Sequence, residues 1–150
     1  MRCVAFLLLL SGCGPDAVEP RNGSAPEPEE IPAPAVPPPS AEDEQASRAA
    51  AATVTLYYEA IARRDYPAAW RLRDPAPGST LERFAAGFEL YEDYRATIGT
   101  PTLPARQGGA LWVAVPVQLY GRRRDGAPFG SVGRVTLKRA AGEDRWRIVG

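Results

Sequence analysis

The stretch Leu111-Trp112-Val113-Ala114-Val115-Pro116-Val117-Gln118-Leu119-Tyr120 decides how the chain is built. Leu111, Val113, Val115, Val117 and Leu119 alternate with Trp112, Ala114, Gln118 and Tyr120. A period of two puts the first set on one face of a strand and the second set on the other. Pro116 lacks an N–H for the ladder and marks a bulge or an edge.

The pattern continues on both sides. Downstream, Arg124-Asp125-Gly126 is a turn signal. Phe129 to Arg139 then returns as a strand, with Val135 and Leu137 on one side and Arg134, Thr136 and Lys138 on the other. Trp146 and Ile148 close the chain on a short strand, and Leu90 to Ile98 forms another upstream. Before Phe88 the period is helical. Ala50, Val54, Tyr57, Tyr58 and Ile61 form one stripe between Asp43 and Arg63. Pro67 suits the first turn of a second helix over Tyr66 to Arg73, with Trp70 facing inward. Ser79-Thr80-Leu81-Glu82 reads as a capping box opening a third helix, on which Leu81, Phe84, Ala85 and Phe88 share a face. Three helices followed by an antiparallel meander predict an α+β domain over 46–150, the helices packed on one face of a curved sheet of about four strands.

Ahead of this domain the composition changes. Gly14 to Gln45 holds nine of the sixteen prolines, eight acidic residues against the single Arg21, and no aromatic residue. So little apolar surface cannot offset the entropy of ordering the chain, and the segment predicts a partly polyproline-II spacer. From Ala46 onward sixteen Arg and Lys face ten Asp and Glu, a net of +6. A basic domain first suggests nucleic acid, but the arginines are scattered apart from Arg122-Arg123-Arg124, a short run that reads as a solvated loop.

The first residues carry an address. Cys3 to Leu10 is an apolar run after Met1-Arg2, too short to span a bilayer as a helix of roughly 20 residues and of the length of a signal-peptide core. It ends in Leu10-Ser11-Gly12-Cys13, which resembles the lipobox of bacterial lipoproteins. The resemblance implies a signal peptide over 1–12, cleavage before Cys13, palmitate and related acyl chains on that cysteine, and a tether over 13–45. The mature chain would then keep one thiol, with no intrachain disulfide or cysteine-based metal cluster. An exported protein makes nucleic acid an unsuitable partner. Gly14, and not Asp, follows Cys13, so in a double-membraned bacterium the lipoprotein sorting rule implies the outer membrane facing the periplasm.

The domain itself resembles the NTF2-like superfamily, and within it the NTF2-like envelope lipoproteins. The likeness rests on Tyr57-Tyr58-Glu59-Ala60-Ile61-Ala62-Arg63-Arg64-Asp65-Tyr66 with Ala69-Trp70, on Val115-Pro116-Val117 and Arg134-Val135-Thr136-Leu137, and on Trp146-Arg147-Ile148. It implies a cone that can hold a small molecule, and Tyr57, Tyr58, Trp70, Tyr94 and Trp112 are the candidate pocket residues. Some members are isomerases or dehydratases. Others bind ligands, dimerise or serve as accessory domains.

The chain has no histidine, which removes the commonest general base, the serine and cysteine triads and most zinc sites. An aspartate base with a tyrosine donor would be the remaining route, with Asp65 or Asp93 beside Tyr57, Tyr58 or Tyr94. Asp65 more simply caps the second helix, and Glu92 and Asp93, adjacent on a strand, point to opposite faces. No metal constellation, phosphate loop or nucleophile elbow appears, so no cofactor and no catalytic residue is expected. The expected function is a non-catalytic module for a small ligand or another envelope protein, or for homodimer formation, with the membrane engaged through Cys13. An isomerase- or dehydratase-like enzyme and a purely structural spacer are the alternatives. Replacing Cys13 with Ala should abolish both labelling by radioactive palmitate and the shift to the processed mass in cells; continued labelling would refute the anchor.

Overall fold

The computed structural model describes residues 38–150. The lipobox, the leader and most of the proline-rich segment lie outside the described residues. The elements in chain order are α1 (Ala41–Ala62), α2 (Tyr66–Arg71), β1 (Arg73–Asp74), α3 (Leu81–Ala86), β2 (Tyr91–Ile98), β3 (Ala105–Gln107), β4 (Ala110–Arg123), β5 (Pro128–Arg139) and β6 (Arg147–Val149).

Helix α1 begins at Ala41, so the folded part starts before the boundary at residue 46 set by composition. Ser40 is the N-cap and accepts from the Asp43 amide at 3.1 Å. Glu42, Asp43 and Glu44 occupy the first turn, where the positive end of the helix dipole favours carboxylates. These residues count as acidic spacer by composition and act as a helix start by position. The buried stripe is Ala46, Ser47, Ala50, Val54, Tyr57, Ala60 and Ile61, the predicted face extended by one turn. Ser47 is the buried polar member, and its hydroxyl lies 2.9 Å from the carbonyls of both Asp43 and Thr102, fastening α1 to the loop that follows β2.

The two short helices start where local chemistry dictates. The Asp65 side chain accepts from the Ala68 amide at 3.0 Å and Pro67 lies in the first turn of α2, as expected. At α3 the cap is Thr80, accepting from the Arg83 amide at 3.3 Å, one residue later than the Ser79–Glu82 box predicts.

The sheet has six strands rather than about four, in the order β1-β6-β5-β4-β2, with β3 also pairing β4. Two- and three-residue strands such as β1 and β3 are too short to display a period in sequence. β1 runs parallel to β6 and the other pairings are antiparallel, so the sheet is mixed and not a simple meander. The β4–β5 ladder keeps one register from Leu111 opposite Arg139 to Arg122 opposite Pro128. Asp125 accepts from the Ala127 amide at 2.9 Å in its turn.

Pro116 lies within this ladder, on a strand with neighbours on both sides. On the side away from β5, β2 ends at Ile98 and β3 starts at Ala105. The Pro116 carbonyl accepts from Gly99 there at 2.8 Å. Proline is tolerated because β4 changes partner at that point, leaving no ladder acceptor that needs its amide.

The core joins the α1 stripe to Val113, Val115 and Val117 of β4, Leu137 of β5, and Trp146 and Ile148. Leu137, Val54, Val113 and Val115 are fully buried, each contributing about 1.5–3 kcal/mol. One irregularity shapes the rest of the inner face. The β2–β4 register shifts between Tyr91 and Asp93, giving a bulge, and Arg64 holds it by donating Nη2 to the Glu92 carbonyl at 3.0 Å. The opposing Gly121 has φ +153°, and a Cβ there would stand 2.1 Å from the Asp93 carbonyl oxygen. No side chain fits. Gly121→Ala should therefore lower stability by about 3 kcal/mol or more in urea unfolding, whereas Gly133→Ala, with ordinary backbone and open space around it, should be near neutral. Equal effects would show that the bulge does not constrain position 121.

Candidate functional site

The inner end of the domain is lined by aromatic side chains from five elements. Tyr57 and Tyr58 come from α1, Tyr66 and Trp70 from α2, Phe84 from α3 with Phe88 just beyond it, Tyr91 and Tyr94 from β2, and Phe129 from β5. Phe84 joins the helices: its ring centroid lies 6.2 Å from Tyr57, 5.4 Å from Trp70 and 5.2 Å from Phe88. Tyr94 joins the sheet to them, 5.2 Å from Phe88, 5.3 Å from Phe129 and stacked on Tyr58 at 6.4 Å. These spacings are those at which aromatic pairs attract beyond their buried area, by about 0.5–1.5 kcal/mol each.

Four of the five candidate pocket residues, Tyr57, Tyr58, Trp70 and Tyr94, thus belong to one connected group. Trp112 does not. It lies on the opposite face of β4, where its indole donates to the Gln107 carbonyl at 3.3 Å and Lys138 covers its ring at 5.7 Å. The alternation itself assigns Trp112 to the face away from Val113 and Val115, so the sequence already carried this correction.

The other members of the cluster carry weaker signals in the sequence. Phe84 and Phe88 were legible as a packing face, but their partners come from distant elements. Tyr91 and Tyr94 are three apart, and only the bulge brings them onto one side, 5.1 Å from each other. Nothing local announces it. Arg73 is a further surprise: its guanidinium carbon stands 5.4 Å from the Trp70 ring and 5.0 Å from Phe84. Its Nε is buried without a hydrogen-bond partner. Cation–π attraction, about 2 kcal/mol when desolvated, offsets part of that loss.

The cluster leaves little space. The cavity bounded by Ile61, Tyr66, Phe88, Tyr91 and Tyr94 measures about 10 Å³, roughly the room one water needs. A larger hollow of about 270 Å³ lies outside it, as an open groove between α1 and β2 that includes Tyr58, Glu59, Arg95 and Tyr120. Neither aspartate offered as a base reaches the tyrosines through a hydrogen bond among those found. Asp65 caps α2, and Asp93 is bound to Arg95 at 3.1 Å. Among the described residues no group of three His, Cys, Asp or Glu side chains could hold a metal ion.

Burial governs the chemistry of the hydroxyls. It pushes Tyr57, Tyr58 and Tyr94 up to about 12, with the neighbouring phenols of Tyr94, Tyr57 and Tyr58 respectively adding to the rise and the Arg73 charge opposing it at Tyr57. These phenols are held protonated and serve as packing surfaces rather than as acids near neutrality.

No family model matches the chain, and no curated protein matches it. Solved structures do. An NTF2-like superfamily protein from Salmonella enterica serovar Typhimurium aligns at 16% identity over 69% of this chain and 86% of its own, with a TM-score of 0.54. A candidate aromatic ring hydroxylase from Novosphingobium aromaticivorans aligns at 16% identity over 74% and 87%, TM-score 0.56. The beta subunit of a candidate aromatic-ring-hydroxylating dioxygenase from the same organism aligns at 12% identity over 69% and 84%, TM-score 0.53. At these identities the likeness establishes the fold alone: the domain has the NTF2-like α+β architecture, with a mixed six-stranded sheet and a few helices.

The tyrosines give this arrangement a pH signature. Their folded pKa values are raised above the unfolded value of 10, so their contribution is complete below about pH 10 and lost as pH rises through about 12. Thermal melts should show Tm falling over that interval, and tyrosinate absorbance of these three residues should appear in the folded protein only as pH approaches about 12. Ionisation of Tyr57, Tyr58 and Tyr94 at pH 10 in the folded protein would contradict the packing described.

Proposed function

We propose that the chain is a lipid-anchored cell-envelope protein, held by Cys13 on the periplasmic side of an outer membrane, whose NTF2-like domain is a non-catalytic module for protein interaction. The observation that carries this reading is the aromatic packing of the cone, whose residual cavity of about 10 Å³ is too small for an organic substrate. An isomerase- or dehydratase-like reaction needs a carboxylate facing open space within hydrogen-bond reach of its donor. Here Asp65 and Asp93 have other partners. Binding is then a matter for the surface.

The outer face of the sheet offers such a surface. Val132 is 81% exposed and Tyr120 42% exposed. They are diagonal neighbours, since Val132 faces Gln118 and Tyr120 faces Gly130 across the β4–β5 ladder. Pro116 is also exposed on this face, and Arg134 and Arg122 flank it. An apolar centre with a charged rim is the usual anatomy of a protein interface. A second copy of the chain or another envelope protein would bury it, whereas a structural spacer would not require it.

Affinity capture from envelope extracts, with mass spectrometry of proteins and small molecules, tests this when wild type is compared with Tyr120→Arg/Val132→Arg. A reproducible protein partner, or a second copy by light scattering, that is lost at least tenfold in the double variant is expected. A bound metabolite with no partner, or a partner indifferent to the substitutions, would overturn the reading.

A further inference from the structure

Trp146 immediately precedes β6 and is 5% exposed. Its indole N–H is buried without an acceptor, and the Arg139 guanidinium covers its ring at 5.2 Å. A buried donor left unpaired costs about 1–3 kcal/mol. The same residue is part of the wall of an open groove of about 470 Å³. Thr53 of α1 borders the groove, together with Arg71 and Leu72 at the end of α2 and the segment 144–147.

Charge gives the groove a sign. Arg71, Arg145 and Arg147 line it against the single carboxylate of Asp144. None of the three arginines takes part in the ion pairs found among the described residues. Arg147 is positioned by donating Nη1 to the Arg71 carbonyl at 3.2 Å, which leaves its other donors available. Arg71 and Arg145 are exposed. Guanidinium groups are suited to paired hydrogen bonds with carboxylates, Leu72 and the Trp146 ring add apolar surface, and the groove is open instead of enclosed, as a chain segment requires and a small buried solute does not.

We propose that this groove binds an extended acidic peptide segment. Its carboxylates pair with Arg71 and Arg145. The site is separate from the outer face of the sheet, so either can fail without the other.

The test is fluorescence anisotropy of the full chain in detergent micelles with a fluorescein-labelled Glu/Ala decapeptide and its Gln/Ala counterpart. The expected result is saturable binding of the Glu peptide at least tenfold tighter than the Gln peptide, weakened by salt. Arg71→Glu/Arg145→Glu should lose at least tenfold. Arg83→Glu/Arg123→Glu, two exposed arginines that line neither this groove nor the outer-face patch, should keep the wild-type affinity. Equal binding of both peptides, no binding, retention of affinity in Arg71→Glu/Arg145→Glu, or the same loss in Arg83→Glu/Arg123→Glu would overturn the proposal. The last would show attraction to a basic domain at large. Circular dichroism of each variant reports its folding.

Discussion

Everything inside the domain depends on α1 lying across the inner face of the sheet, Val54, Tyr57 and Ile61 packed with Val113, Val115, Val117 and Leu137. That contact is hydrophobic and non-directional, so it fixes which faces meet but not where each side chain stops. Directional contacts supply the register. Ser47 ties the start of the helix to the Thr102 carbonyl, and Arg64, at its far end with φ 62°, ties it to the β2 bulge at Glu92. Held at both ends, α1 presents Tyr57 and Tyr58 to the same region that Tyr91 and Tyr94 enter from the sheet.

The bulge and Gly121 then decide what that region becomes. A regular β2 would send Tyr91 and Tyr94 to opposite faces. The extra residue turns both toward Phe129 and Phe88, and the missing Cβ at Gly121 makes room for the Asp93 carbonyl. The rings close the space that an open cone would leave for a ligand. Packing of this kind stabilises the fold at this end of the domain.

The period-two run at 111–119 and the helical stripe at 50–61 made the α+β class and the larger elements legible, because each is long enough for its period to show. What escaped the sequence was short or non-local. β1 and β3 have two and three residues. The start of α1 was hidden because Glu42, Asp43 and Glu44 have the composition of the spacer and the position of a helix cap. Pro116 suggested an edge or bulge, and its real setting, a change of neighbour along one side of β4, exists only once β2 and β3 are both in place. Of the candidate pocket residues, Tyr57, Tyr58, Trp70 and Tyr94 converge because each lies on an inward-facing position, whereas Trp112 lies on the opposite face of β4, as the alternation of that strand requires. The filling of the cone could not be read at all, since it depends on nine rings from five elements and on one register shift.

The proposed surface function rests on an interior occupied by its own side chains. Titration with a steroid-sized apolar ligand, followed by the aromatic ring resonances of Tyr58 and Tyr94 in solution, tests this directly. The packed interior predicts no saturable shift of either ring up to millimolar ligand. Saturable micromolar shifts at both, with the fold intact, would show an interior that opens to ligand and would contradict it.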